Sequence, residues 1–125
     1  MGDSRYRVDL SQAPAAPGSS GGRLRLAPES GWHIVPDAPA SLRLAAPAGF
    51  EFAATEQRGS DAIEHSEQAL EFAFSVRPTH AQDAPSAPAR AQIKFGVCRD
   101  DAQGCEIVRQ EFDLPLARIL ADSGL

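Results

Sequence analysis

A chain of 125 residues with a net charge of −5, 42% hydrophobic and 23% charged, has room for one domain and the make-up of an ordinary soluble globular protein. Its arginines stand singly rather than in a basic run, which argues against nucleic acid as a partner. No stretch approaches the roughly eighteen apolar residues of a membrane span, so the chain reads as not membrane-embedded.

Strand periodicity runs through almost the whole sequence. Tyr6, Val8 and Leu10 alternate with polar residues as a first strand. Residues 11–22, rich in Ala, Pro, Gly and Ser, read as a loose linker. Leu24 and Leu26 alternate with Arg23 and Arg25, a turn falls over residues 28–31, and residues 32–35 form another apolar run. Leu42 and Leu44 flank Arg43, and Phe50 and Phe52 follow a turn at residues 47–49. Residues 56–67 are polar and read as a loop with at most a short helical turn. The clearest strand carries Leu70, Phe72, Phe74 and Val76 on one face; a Pro-rich connection over 78–88 then leads to Ile93, Phe95 and Val97. Val108, Phe112 and Leu114 suggest a closing strand whose alternation is broken at Gln110.

Seven to eight short strands between Pro/Gly turns, with no long helical stripe, predict an all-β, immunoglobulin-like antiparallel sandwich. A closed barrel fits less well, because the long connections suit Greek-key crossovers. The expected organisation is an N-terminal strand and flexible linker over 1–21, a sandwich over 22–118 and a tail over 119–125.

The chain's two cysteines hold its only plausible chemistry. Cys98 ends one expected strand and Cys105 begins the next, with Arg99-Asp100-Asp101-Ala102-Gln103-Gly104 between them. Turn-forming residues at 101–104 predict a hairpin with both sulfurs at its mouth, within bridging distance if the turn is tight. Two readings stand: a structural hairpin disulfide, or a pair that exchanges with a partner thiol. Arg99 favours a thiolate at Cys98 while Asp100 and Asp101 oppose it, so local charge does not choose. A close pair of this kind suits an oxidising compartment. The polar, alternating first ten residues are not a signal peptide, which leaves either a cytosolic protein or an exported one whose leader has been removed.

Three stretches carry a family resemblance. They are Leu24-Arg25-Leu26 with Gly31-Trp32-His33-Ile34; Ser66-Glu67 with Leu70-Glu71-Phe72 and Phe74-Ser75-Val76; and Lys94-Phe95-Gly96-Val97-Cys98, Gly104-Cys105 and Phe112-Asp113-Leu114-Pro115-Leu116. Together they resemble the N-terminal periplasmic domain of the thiol–disulfide interchange protein DsbD and its stand-alone relatives. The resemblance implies an immunoglobulin-like fold and a periplasmic or otherwise exported location. It implies a thiol–disulfide oxidoreductase-type activity in which Cys98 and Cys105 exchange with a thioredoxin-like protein or domain. It also places His33 close to the sulfurs. By position, Cys105 is expected to engage partners and Cys98 to resolve. Two departures stand out: residues 57–60, which match the family's aromatic-bearing cap loop, read Gln-Arg-Gly-Ser, and the intercysteine loop is one residue longer.

Other chemistry finds little footing. His33, His65 and His80 lack the close spacing of a zinc motif, so no metal is expected. Trp32 reads as a core residue, and Asp61, Glu64 and Glu67 as a solvated acidic face. No nucleophile–base motif, phosphate loop or dinucleotide fingerprint is present, so no cofactor is implied. Against the exchange domain stands a non-enzymatic immunoglobulin-like binding or structural module whose disulfide is a staple.

Overall fold

The computed structural model describes residues 5–79, 87–101 and 104–116. Among the described residues, ten strands form two antiparallel sheets packed face to face. The first sheet runs β1 (Tyr6–Ala13), β2 (Ser20–Pro28), β8 (Leu70–Pro78), β5 (Phe50–Phe52), with β7 (Glu64–His65) also on β8. The second runs β10 (Cys105–Leu114), β9 (Ala89–Arg99), β4 (Ser41–Ala45), β6 (Glu56–Arg58), with β3 (Trp32–Ile34) also on β9. The fold is an immunoglobulin-like β-sandwich, and its two separate sheets replace the alternative of a closed barrel.

The alternation that marks each strand also builds the core. Leu24, Leu26, Leu70, Phe72 and Val76 of the first sheet are almost fully buried, as are Leu42, Ile93, Phe95, Val97 and Leu114 of the second. Burying side chains of this size stabilises the fold by roughly 1.5–3 kcal/mol each, before conformational entropy is counted. Tyr6 of β1 meets Phe95 of β9 edge to face across the layers, with ring centroids 5.0 Å apart. Gln110 faces inward opposite Ile93, which explains the broken alternation of β10; among the described residues its Oε1 finds no hydrogen-bond partner.

Three sequence expectations are corrected. Residues 11–22 are not a loose linker but the end of a hairpin, with β1 and β2 paired in register from Tyr6↔Pro28 to Ala13↔Gly21. The first strand therefore belongs to the sandwich, and no domain boundary falls at residue 21. Small residues misled because they serve packing here: a Cβ at Gly22 would overlap the Phe74 ring. Residues 56–67 hold β6, a 3₁₀ turn at Gly59–Asp61 and β7, which raises the strand number above the expected seven or eight. Trp32 is half-buried at the rim of the core rather than inside it, with the Arg99 guanidinium 5.9 Å from its ring centroid. The 119–125 tail and most of the 78–88 connection lie outside the described residues.

Candidate functional site

Among the described residues, the β9–β10 hairpin is the longest pairing, in register from Leu114↔Ala89 to Cys105↔Cys98. Odd-numbered residues of β9 from Ala89 to Val97 point into the core, so Cys98 points to the outer face of the sheet. Cys105, its directly opposite partner, shares that face, and the two sulfurs are joined in a disulfide with Cα atoms 4.0 Å apart. The Arg99 N–H donates to the Gly104 carbonyl at 3.0 Å beyond them, which makes Cys98–Cys105 a non-hydrogen-bonded pair, the closer of the two antiparallel spacings. The bridge lies outside the core. Its two sulfurs differ in access: Cys98 is 8% exposed, whereas Cys105 is an exposed residue.

Cys98 is recessed because β9 has neighbours on both sides at this level. β3 pairs with it in the register Trp32↔Arg99, His33↔Cys98 and Ile34↔Val97. This pairing brings His33 to the strand position beside Cys98, on the outer face. The His33 Nδ1–H donates to Asp100 Oδ1 at 2.6 Å, which fixes the ring and leaves Nε2 as the free ring nitrogen. The Asp100 N–H in turn donates to the Gly31 carbonyl at 2.9 Å, tying the intercysteine loop to the turn before β3. Arg99 spans Trp32 and Asp101, the latter at 3.6 Å. His33 thus shares the outer face with Cys98, whereas Arg99, the next residue of β9, turns to the opposite face toward Trp32. Asp100, which orients His33, reads in the sequence only as a negative charge; its role as the imidazole's partner depends on the β3–β9 pairing, which no local pattern announces.

Residues 57–60 stand at the other edge of the sheet from β10. Gln57 is buried in β6 at the far edge of the same sheet, where its Nε2 donates to the Ala73 carbonyl at 2.7 Å. The Arg58 N–H donates to Asp61 Oδ2 at 2.9 Å, and the Gly59 N–H to the Ala40 carbonyl. Glu64, in the acidic stretch, accepts from the Ser66 hydroxyl at 2.7 Å and from Arg25 at 3.1 Å; these hydrogen bonds, in that order, hold its carboxyl below its ordinary value. Arg25 also donates to Glu71, and its own pKa is raised chiefly by the Glu71 bond and then by the Glu64 bond.

Among the described residues, no three His, Cys, Asp or Glu side chains are grouped to hold a metal ion, and no helix is long and apolar enough to cross a membrane. His65 is half-buried against Gly59, and His80 lies outside the described residues.

The fold and the bridge together define an immunoglobulin-like sandwich with an outward-facing hairpin disulfide. No family model matches the chain, and no curated protein matches it. Among solved structures it is similar to the GAE domain of yeast GGA1, with a TM-score of 0.49 and 13% identity over 92% of this chain and 96% of that one. It is also similar to the GAE domain of GGA2p from Saccharomyces cerevisiae, with a TM-score of 0.46 and 10% identity over 92% and 93%. A FixG-related protein from Vibrio parahaemolyticus follows, with a TM-score of 0.39 and 8% identity over 89% and 97%.

Proposed function

We propose that this chain is a thiol–disulfide exchange domain of the DsbD N-terminal type, acting in the periplasm or an equivalent exported compartment with a thioredoxin-like partner. The observation that carries the reading is the asymmetry of the bridge: an exposed Cys105 joined to a recessed Cys98 on the outer face of the sandwich. Exchange requires an accessible sulfur and a leaving thiolate that can depart. A partner thiolate attacks Cys105 Sγ, the Cys98–Cys105 bond breaks, and Cys98 leaves with the electron pair as a thiolate. The partner's second thiolate then attacks its own sulfur in the mixed disulfide and releases the Cys105 thiolate. The domain's disulfide is reduced by two electrons, the partner's dithiol is oxidised by two, and two protons end on the domain's thiols. Nε2 of His33, held by Asp100, is the nearby group suited to relay a proton to Cys98.

The test is labelling of the native, oxidised domain with a thiol reagent after brief treatment with a reduced thioredoxin-like dithiol protein. The reading expects labelling of both cysteines while the domain stays folded. Labelling only after denaturation would sink it and leave the staple. That second reading draws on the burial of Cys98 between β3 and β10, which closes one side of the bridge to solvent.

A further inference from the structure

Three cross-strand pairs line the outer face of the β9–β10 hairpin away from its turn: Cys98 with Cys105, Gly96 with Ile107, and Lys94 with Arg109. All three are non-hydrogen-bonded pairs, as the Arg99–Gly104 bond dictates, so the side chains of each stand close. The middle pair is an apolar step. Gly96 leaves room for Ala38 and Val35 to lie on the sheet, since a Cβ there would stand 2.7 Å from Ala38 Cβ. Ile107 flanks the same spot and remains 51% exposed, beside the exposed Cys105. The third pair sets two cations opposite each other, an arrangement that destabilises a sheet. Neither Lys94 nor Arg109 makes an ion pair or side-chain hydrogen bond with a described residue. By contrast Arg5, Arg7, Arg25, Arg43, Arg77 and Arg90 each hold a carboxylate. Glu111, the next outward residue of β10, is engaged by Arg90 at 3.6 Å. On the other side of the bridge, Asp100 accepts the His33 Nδ1–H and Asp101 lies 3.6 Å from Arg99. Of the three pairs, only the third therefore carries unpaired charge, two cations; the exposed carboxylate of Asp37, between Val35 and Ala38, is also without an ion pair among the described residues.

We propose that this strip is the docking track for the redox partner: Ile107, Val35 and Ala38 seat apolar residues around the partner's reactive cysteine, and Lys94 with Arg109 receive its carboxylates. The inference rests on the exchange reading above and specifies the partner's chemistry. That partner is a thioredoxin-like protein with an apolar surround at its attacking sulfur and an acidic group about 13 Å from it, the span of four strand residues. The Lys94–Arg109 pair, set on one side of the bridge, also sets the partner's orientation on the hairpin.

The probes are two synthetic Cys-Xaa-Xaa-Cys dithiol peptides with the same leucine-containing centre, one flanked by four glutamates and the other by four lysines, with dithiothreitol as a charge-free reductant. The readout is the ratio of the two peptides' rate constants for reducing the native disulfide. The chain's overall charge of −5 attracts the lysine peptide, so a preference for the glutamate peptide reports the local track. The glutamate peptide is expected to react about tenfold faster at low ionic strength, with the gap closing in high salt. Lys94→Glu combined with Arg109→Glu is expected to reverse the order. If that double variant fails to fold, Arg109→Gln alone is expected to narrow the gap. Equal rates for the two peptides, or an order unmoved by these substitutions, overturn the inference and leave the exchange reading standing if dithiothreitol reduces the native bridge. A bridge that resists all three reductants overturns both.

Discussion

Replacing Cys98 and Cys105 together with serine removes a cross-link without touching the core, because both side chains face outward from β9 and β10. The cysteines are seven positions apart, and closing a ring of about eight residues stabilises a fold by about 2.5 kcal/mol on the chain-entropy account. With an unfolding entropy of about 2.1 cal/mol/K per residue, that loss lowers the melting temperature of a domain this size by about 10 °C. The hairpin keeps its remaining ladder, so the serine variant is expected to unfold cooperatively with a similar denaturant slope. Calorimetry and urea unfolding of the oxidised chain and the double variant supply the comparison. A loss above about 5 kcal/mol, or a variant that does not fold, would refute the reasoning by making the bridge a core element.

Other positions test the packing and the electrostatics separately. Phe72→Ala removes a fully buried ring and is expected to cost about 3–5 kcal/mol in urea unfolding. Gly22→Ala forces a methyl against the Phe74 ring and is expected to cost about 1–3 kcal/mol, which would confirm that residues 11–22 are packed structure rather than linker. The carboxyl of Glu64 is lowered in the folded state by Ser66 and then Arg25, so its contribution to stability is present above its ordinary value of 4.5 and is lost as pH falls through the lower folded value. Ser66 Oγ also accepts from the Gln68 and Ala69 N–H groups at 3.3 Å, bonds that acid does not remove, so Ser66→Ala is expected to lower the melting temperature at every pH but by more at neutral pH than in acid; a gap unchanged at pH 2.5 would contradict this.

Legibility followed the length and regularity of each pattern. β8 and β9 could be read directly, because Leu70 to Val76 and Ile93 to Val97 alternate over enough residues to exclude a helix. The cysteine hairpin was visible because turn residues and two cysteines coincide. The β1–β2 hairpin was hidden, because glycines and alanines suited to a linker also allow close approach of backbone and ring, and only the position of Phe74 shows which use applies. β6 and β7 are too short to show a period, and they exist because β4 and β8 supply edges to pair with. At the site, His33 was suggested by resemblance alone. Its place beside Cys98, its bond to Asp100 and the stacking of Cys98–Cys105, Gly96–Ile107 and Lys94–Arg109 follow from strand register, a long-range property that spacing along the chain does not encode.

Trapping a mixed disulfide tests the account at its centre. Cys98→Ser leaves the exposed Cys105 and Cys105→Ser leaves the recessed Cys98; each, reduced, is incubated with a thioredoxin-like partner whose resolving cysteine is serine and whose attacking cysteine carries a thionitrobenzoate leaving group, and the adducts are resolved on a non-reducing gel. The account predicts that the Cys98→Ser variant accumulates the adduct and that the Cys105→Ser variant forms little. Adducts with neither variant, or more with Cys105→Ser, would contradict it.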